Sequence, residues 1–227
     1  MVRCRPFHAE ESGVARPSLT VSVVVLALLV LENTAPAAAS PEVPRPGMRV
    51  EHENMRCTAS FAAHGDDGGY YFLTSGHCDA RDGSGWTYGP NVPLGTITAS
   101  ENEGGNKDAA IIRLDPSLGV PSGDIGGRPV HGVYASDEIK VGVPLCKLGA
   151  VTGETCGAVT SVHDDGVVEA SVFSLNGDSG SPGFVKNLDG TVGAVGTLMG
   201  SPDGNDNISY FVPVSPLLEK WGLRLLP

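Results

Sequence analysis

The sequence predicts an all-β protein, a sandwich or a barrel of short strands, and three features of its 227 residues carry that prediction. Glycine and proline supply 48 residues, about a fifth of the chain, which is typical of a protein with many turns. Short apolar runs alternate with turn sequences from residue 56 onwards. Helical periodicity is confined to one short stretch, so helical bundles and coiled coils are excluded. The length suits one compact β-rich unit.

Residues 1–39 have the order of parts of a secretory signal peptide. Three arginines open the segment, an apolar run of 14 residues follows at 18–31, and small residues at 37–39 form a cleavage site. A membrane span needs about 20 apolar residues, so this run is too short to be one. We expect export with cleavage after Ala39, and a mature protein without a stable membrane span.

Residues 40–48 are proline-rich and are predicted to form an N-terminal arm. Removal of residues 1–39 deletes three Arg and three Glu, so the mature charge stays at the −11 of the whole chain. A nucleic-acid partner requires a dense basic face that neutralises phosphates, and no such face is visible in the sequence. We therefore exclude nucleic acid as a partner.

The strands and the single helix follow from local patterns. The helix is predicted at 215–223, because Ser215 is a capping residue, Pro216 suits the first helical position and Gly222 stops the helix. Aspartate and glycine turns separate the apolar runs. Six of these runs are predicted to be strands, at 70–74, 109–114, 158–162, 167–173, 191–198 and 210–214.

The cysteines of the mature chain predict two disulfides. Signal cleavage removes Cys4 and leaves an even number, Cys57, Cys78, Cys146 and Cys156, in an exported protein. Four cysteines allow three pairings, and sequence proximity favours Cys57–Cys78 and Cys146–Cys156. A zinc site is the alternative, but the sequence has no CxxC pair. Histidine and aspartate near 64–67 and 163–165 are interpreted as solvated turns, so we expect no metal.

Three short segments contain groups suited to nucleophilic catalysis. His77 follows an apolar strand in Thr-Ser-Gly-His-Cys, Asp108 opens another strand, and Ser179 lies in Gly-Asp-Ser-Gly-Ser-Pro. A serine nucleophile needs an imidazole that accepts its proton and a carboxylate that orients the imidazole. The flanking glycines permit a tight turn in which the N–H groups of Gly177 and Ser179 form an oxyanion hole.

These three segments resemble the active-site motifs of chymotrypsin-like serine proteases, in particular the bacterial streptogrisin and α-lytic protease branch. The segments 56–57, 94–100 and 146–157 and the chain from Tyr210 onwards resemble the same branch. The resemblance covers about residues 49–225.

The resemblance implies two six-stranded antiparallel β-barrels, at 49–125 and 126–227, with the site between them. His77 and Asp108 would come from the first barrel and Ser179 from the second. It also implies the disulfide pairing that sequence proximity favours. In the reaction it implies, Ser179 attacks a peptide carbonyl, His77 is base and then acid, and Asp108 orients His77. Asp178 would lie in a buried ion pair that shapes the loop.

The substrate pocket departs from the family pattern. Met199 stands where a serine normally supports the catalytic aspartate, and Ser181 stands where many relatives have glycine. The pocket is predicted from Phe173, Leu198, Met199 and Ser201, and residues 172–176 include no acid that could bind Lys or Arg. We expect a preference for an apolar or small residue at P1, the residue before the cleaved bond.

The predicted function is that of a secreted, monomeric serine endopeptidase that needs no cofactor and acts on peptides or proteins. Two alternatives share its residues. One is a peptide- or protein-binding module on the same fold, with the pocket obstructed by Phe173 and Met199. The other is an esterase, because the same nucleophile cleaves esters. Fold resemblance alone does not decide among them, since activity depends on the site.

Overall fold

The computed structural model describes residues 42–227, which form two β-sheets and a single α-helix. Two 3-10 turns, Gly76–Cys78 and Pro116–Leu118, complete the regular structure of this part of the chain. The strands are β1 (Arg49–His52), β2 (Met55–Thr58), β3 (Ala62–Gly65), β4 (Tyr70–Thr74), β5 (Gly85–Tyr88), β6 (Val92–Gly104), β7 (Lys107–Leu114), β8 (Val130–Val133), β9 (Pro144–Gly149), β10 (Gly153–Val162), β11 (Val168–Ala170), β12 (Pro182–Lys186), β13 (Val192–Gly200), β14 (Ser209–Pro213) and β15 (Leu223–Leu225), and the helix is α1 (Val214–Trp221).

The second sheet closes into a six-stranded barrel. Its strand order is β12-β9-β10-β11-β14-β13, and pairing of β12 with β13 joins the ends, while β8 adds to β13 in parallel. The first sheet has the order β15-β3-β4-β7-β6-β5-β1-β2 and no pairing that joins its ends in residues 42–227, so it is a half-barrel. The all-β, chymotrypsin-like fold is confirmed, with one closed barrel rather than two.

Local sequence patterns predicted most of the strands at the correct positions. Two predicted boundaries, one of a strand and one of the helix, differ from the structure. The run at 167–173 is strand only over β11, because the chain beyond Ala170 leaves β14 and becomes the loop that leads to Ser179. The helix begins at Val214, and Ser215 lies inside it without capping a backbone group. Gly222 ends the helix in the left-handed conformation, as predicted.

The largest apolar cluster joins the two sheets. It packs Phe61 and Leu73 of the first sheet region against Phe184 and Val212 of the second. Strand β15 then returns to the first sheet and pairs with β3, although it follows the second barrel in the sequence. Apolar burial between the sheets therefore fixes the surface on which the candidate site is built.

Two disulfides are present, with the pairing that sequence proximity favoured. Cys57 of β2 is joined to Cys78 of the first 3-10 turn, and Cys146 of β9 is joined to Cys156, which lies opposite it on β10. No helix within residues 42–227 combines the length and the apolar character that a membrane crossing needs.

Candidate active site

A 3-10 turn at the end of β4 carries His77 to the junction of the two sheets. Its first residue, Gly76, is packed so closely that a Cβ there would lie 1.7 Å from the Glu101 carbonyl oxygen and 2.8 Å from the Ala109 nitrogen. Only glycine permits this approach to β6 and β7. The close packing brings His77 to the start of β7, where Asp108 lies.

Asp108 holds His77 through two groups. The His77 backbone N–H donates to Asp108 Oδ1 at 2.7 Å, and Nδ1 lies 2.9 Å from Oδ2. Asp108 is 7% exposed, whereas His77 is largely exposed. Because a carboxylate only accepts hydrogen bonds, the proton of the neutral ring is on Nδ1. Nε2 is then left with a lone pair that can accept a proton.

The turn around Ser179 is packed against the first sheet. Gly180 has a φ of +90°, and a Cβ there would lie 2.3 Å from the Thr58 carbonyl oxygen. The Thr58 N–H donates to the Ser179 carbonyl at 2.7 Å, which fixes the turn around Ser179 to β2. In the described structure Ser179 Oγ makes no hydrogen bond to His77 Nε2. Hydrogen bonds between a serine and its histidine base are often long in enzymes without substrate and shorten when substrate binds.

Two backbone N–H groups beside Ser179 are unoccupied. Those of Gly177 and Ser179 donate to no group of residues 42–227. The Thr58 hydroxyl donates to the Gly177 carbonyl at 2.8 Å, and Gly177 takes a φ of +98°, which favours glycine. Two free donors beside a serine hydroxyl are the arrangement that stabilises an oxyanion.

Asp178 is buried in an ion pair with Lys147, a residue that the sequence analysis did not single out. Both side chains are fully buried, and Nζ lies 3.4 Å from Oδ2. Burial alone would raise the pKa of Asp178, but hydrogen bonds from Thr152, Leu175 and Val151 and the charge of Lys147 hold the pKa below its usual value. A lysine within the otherwise apolar β9 was the sequence signal for this partner.

The residues predicted for the pocket lie in three environments. Leu198 is fully buried in the core of the second barrel, so its side chain has no exposed surface to offer a pocket. Met199 packs against the cluster between the sheets. Phe173 is 38% exposed and Ser201 is partly exposed. Leu198 therefore offers no exposed side-chain surface, and the pocket as a whole stays a prediction.

Hydroxyl groups lie where apolar groups were expected. Ser174, on the loop that leads to Ser179, has its Oγ 2.8 Å from the Oγ atoms of both Ser201 and Ser209. Ser174 and Ser209 were not predicted to be site residues, because their proximity arises only when β14 packs beside the loop. Ser201 joins these two serines from the end of β13.

The edge of β13 beside Ser179 is open beyond Leu198. Gly180 N–H donates to the Leu198 carbonyl at 2.8 Å, and the pairing with β12 ends at Thr197. No other strand of residues 42–227 pairs with this edge at Met199 and Gly200. No heavy atom lies within 4 Å of the place a Cβ of Gly200 would take. An extended peptide can therefore add to this edge as a further strand.

In the part of the chain that the structure describes, three groups of side chains have the proximity of metal ligands. Two of them, around His77 and around Glu154, contain cysteines that are joined in disulfides and offer no thiolate. In the third, both ring nitrogens of His52 already contact oxygen atoms, of Gly85 and Asp82. The first two groups therefore lack the thiolates that a structural zinc site would use.

Comparison with known proteins identifies sequence relatives among bacterial proteases. No family model matches the chain. Serine protease 1 of Rarobacter faecitabidus is 31% identical over 192 residues, which cover 75% of this chain and 33% of the relative. Streptogrisin-C of Streptomyces griseus is 30% identical over 184 residues, covering 75% of this chain and 38% of the relative. An uncharacterized protein of Mycobacterium tuberculosis is 30% identical over 167 residues, covering 67% of this chain and 72% of the relative.

Solved structures resemble the fold over most of the chain. Nocardiopsis protease matches with a TM-score of 0.61 and 26% identity, covering 80% of this chain and 98% of the protease. A glutamic acid-specific serine protease that uses a histidine triad in substrate binding matches with a TM-score of 0.65 and 25% identity, covering 80% of this chain and 99% of that protein. The chain thus spans about a third of the two named sequence relatives and nearly all of these solved structures.

Proposed function

Because the chain belongs to the bacterial chymotrypsin-like serine proteases, we propose that it is a serine-type endopeptidase that cleaves peptide bonds through Ser179, His77 and Asp108. The observation that carries the assignment of these residues is the double contact of His77 with Asp108, which leaves Nε2 free to accept a proton. The two free N–H groups beside Ser179 support it.

The proposed reaction has two steps. In the first, Ser179 Oγ attacks the substrate carbonyl carbon while its proton passes to His77 Nε2, and the N–H groups of Gly177 and Ser179 stabilise the oxyanion. The imidazolium then protonates the leaving amine, and the carbon–nitrogen bond breaks to leave an acyl-enzyme. In the second step, water attacks the acyl carbon and gives a proton to His77. His77 then returns that proton to Ser179 Oγ as the bond between the acyl carbon and Oγ breaks, which releases the acid and the free serine.

Asp108 keeps its negative charge in both steps. It holds the Nδ1 proton and stabilises the imidazolium that forms after each attack. Asp178 takes no part in proton transfer in this proposal, because Lys147 and the loop donors already occupy its carboxylate. The role of Asp178 in this proposal is to hold the turn that contains Gly177 and Ser179, whose N–H groups are free.

The proposal for P1 keeps one part of the prediction from sequence. Residues 172–176 contain no acid, so cleavage after Lys or Arg is disfavoured. Ser201, which is partly exposed beside the open edge of β13, brings a hydroxyl group to the predicted pocket and supports a polar contact with the P1 side chain. An apolar preference is not supported by the burial of Leu198.

Export belongs to the proposal as well. Residues 1–39 lie outside the described residues, and the two disulfides are of the kind that exported proteins retain. We expect the mature protein to begin at Ser40 and to be a monomer. N-terminal sequencing and size-exclusion chromatography of the protein from the culture medium test both expectations.

Labelling with a fluorophosphonate probe tests the triad directly. The probe reacts with an activated serine, so the mature wild-type protein should be labelled and the Ser179→Ala variant should not. A Ser84→Ala variant, which removes an exposed serine hydroxyl elsewhere on the first sheet region, should be labelled like wild type. A folded wild type that binds peptides without being labelled would favour the binding module. Labelling with cleavage of esters but not of peptides would favour the esterase.

A further inference from the structure

Three serine hydroxyls form a connected chain beneath the loop that carries Ser179. Ser174 Oγ lies 2.8 Å from Ser201 Oγ on one side and 2.8 Å from Ser209 Oγ on the other. Ser209 Oγ lies 2.7 Å from the Val172 carbonyl oxygen. Ser174 is 2% exposed and Ser209 is fully buried, whereas Ser201 is partly exposed. The hydroxyl chain, as we call Ser201, Ser174 and Ser209, thus runs from the surface into the core.

The inner end of the hydroxyl chain fixes the direction of its hydrogen bonds. A carbonyl oxygen can only accept, so Ser209 must donate its single hydroxyl hydrogen to Val172. Ser174 must then donate to Ser209, because Ser209 has no second hydrogen. For the same reason Ser201 must donate to Ser174. Every hydroxyl hydrogen of the chain therefore points inward, and the outer oxygen of Ser201 presents only lone pairs.

The outer end of the hydroxyl chain lies where a bound peptide would place a side chain. Ser201 directly follows Gly200, at the open edge of β13. Ser174 lies five residues before Ser179 on the same loop. A peptide strand on this edge with its carbonyl at Ser179 would direct its P1 side chain between the loop and Ser201. That side chain would meet an oxygen that accepts hydrogen bonds and cannot donate one.

We propose that the hydroxyl chain makes this protein select P1 side chains that donate a hydrogen bond, above all the amide side chains of Gln and Asn. Carboxylates of the same shape are disfavoured, because their oxygens would face the lone pairs of Ser201 and leave both groups unpaired. Serine and threonine at P1 satisfy the same oxygen through their hydroxyl hydrogens. The proposal rests on the proposed function only in that the site binds an extended peptide.

Peptide binding to the Ser179→Ala variant tests the selection without relying on turnover. The probes are fluorescent peptides that differ only at P1, carrying Gln, Glu or the γ-methyl ester of Glu, and the measurement is fluorescence anisotropy. The Gln peptide should bind about tenfold more tightly than either of the others, the ratio expected for one hydrogen bond. The ester is neutral and only accepts, so it separates hydrogen bonding from repulsion by the acidic protein. Equal affinities, tighter binding of Glu, or no binding of any peptide would overturn the proposal.

Substitution of Ser209 tests the direction of the hydroxyl chain. Ser209→Ala removes the acceptor of the Ser174 hydrogen, so Ser174 can donate to Ser201 and Ser201 can donate to the substrate. In the Ser179→Ala background the preference for Gln over Glu should then fall from about tenfold towards equality or reverse. Ser60→Ala, which removes another fully buried hydroxyl outside the chain, should leave the preference unchanged.

A milder substitution covers the case in which the Ser209 variant does not fold. Ser201 is partly exposed, so Ser201→Ala is expected to fold normally. It removes the outer acceptor and should weaken binding of the Gln peptide several-fold, with little change for the ester. Unchanged binding of Gln in this variant would overturn the role of Ser201.

The two proposals fail in different ways. If the Ser179→Ala protein selects Gln but the wild type is neither labelled by the probe nor able to cleave peptides, the proposed catalysis is overturned and the proposed P1 selection is supported. If the wild type is labelled and cleaves peptides but the Ser179→Ala protein shows no preference for Gln, the proposed catalysis is supported and the proposed P1 selection is overturned.

Discussion

Asp108 contacts His77 twice, and the contact with Nδ1 depends on its being a carboxylate, which can only accept. One oxygen accepts the backbone N–H of His77 and the other lies against Nδ1. In an Asp108→Asn variant the side-chain amide can donate to Nδ1, which would place the ring proton on Nε2 and remove the base. We expect kcat to fall by about 10⁴-fold.

The measurement for this variant is hydrolysis of a peptide that the wild type cleaves, together with circular dichroism to verify the fold. Asp79→Asn is the matched control, because Asp79 follows the same 3-10 turn and accepts a hydrogen bond from Ser100 rather than from His77. Loss of activity to a similar extent in both variants would indicate that the acidic surroundings matter more than the position of Asp108.

Lys147 is the residue whose loss should affect stability most. Its Nζ lies against Asp178 and the Gly153 carbonyl, and both partners of the ion pair are fully buried. Lys147→Met would leave an unpaired carboxylate in the interior. We expect the free energy of unfolding to fall by about 3–5 kcal/mol, measured by urea denaturation.

Lys186→Met provides the comparison for that loss. Lys186 pairs with Glu154 on the surface, where ion pairs contribute about 0–1 kcal/mol. If both variants lost a similarly small free energy of unfolding, burial would not increase the stability that the Lys147–Asp178 pair contributes. Restored stability in a variant that also carries Asp178→Leu would show that the cost comes from the unpaired charge.

At the scale of elements, β1 and β5 bury a histidine whose charge should affect stability. His52 is 8% exposed, and its ring nitrogens lie 3.2 Å from the Gly85 carbonyl and 3.1 Å from Asp82. Burial alone would lower the pKa of His52, but hydrogen bonds to Asp82 and Gly85 and the charges of Asp82 and Glu53 raise the pKa above 6.5. The folded protein therefore favours the charged imidazolium.

A raised pKa sets the sign of the pH dependence. In the unfolded chain the pKa of His52 is 6.5. The stability that His52 contributes is fully present below this pH and is lost as the pH rises through the higher pKa of the folded state. The difference in free energy of unfolding between wild type and His52→Gln should therefore decrease as the pH rises above about 6.5. Urea denaturation at several pH values measures it, and a difference that grows with pH would contradict the prediction.

Elements also differ in how far the sequence alone predicted them. Strand β4 has the predicted bounds, because its apolar run is closed by turn residues at both ends. The long β6 was not predicted, since its glutamates, asparagine and glycine give it no apolar pattern and its pairing with β7 supplies the order instead. The predicted cap Ser215 failed because Pro213 at the end of β14 already fixes where the helix begins.

At the scale of the whole molecule, the two disulfides are expected to contribute similar stability. They join residues 21 and 10 positions apart. Loop closure on this scale lowers the entropy of the unfolded chain by an amount worth about 3 kcal/mol for each disulfide. Replacing either pair of cysteines by alanine should lower the free energy of unfolding by about that amount.

Chemical denaturation with and without a reductant measures this contribution. Under full reduction the wild type and both double variants should unfold at nearly the same denaturant concentration. If a double variant is less stable than the wild type under reducing conditions, the cysteine side chains contribute packing energy in addition to loop closure.

The amino-acid sequence alone predicted the β class, the family resemblance and the residues proposed as the triad, and it favoured the observed pairing of the cysteines. These depend on short motifs such as Gly-Asp-Ser-Gly and on distances along the chain. The folded structure was needed to show that Lys147 pairs with Asp178, that Leu198 is buried in the core, and that Ser174 lies between Ser201 and Ser209. Those contacts join segments from different strands and loops. They form because the elements pack together and bury these residues, and no local sequence pattern encodes that packing.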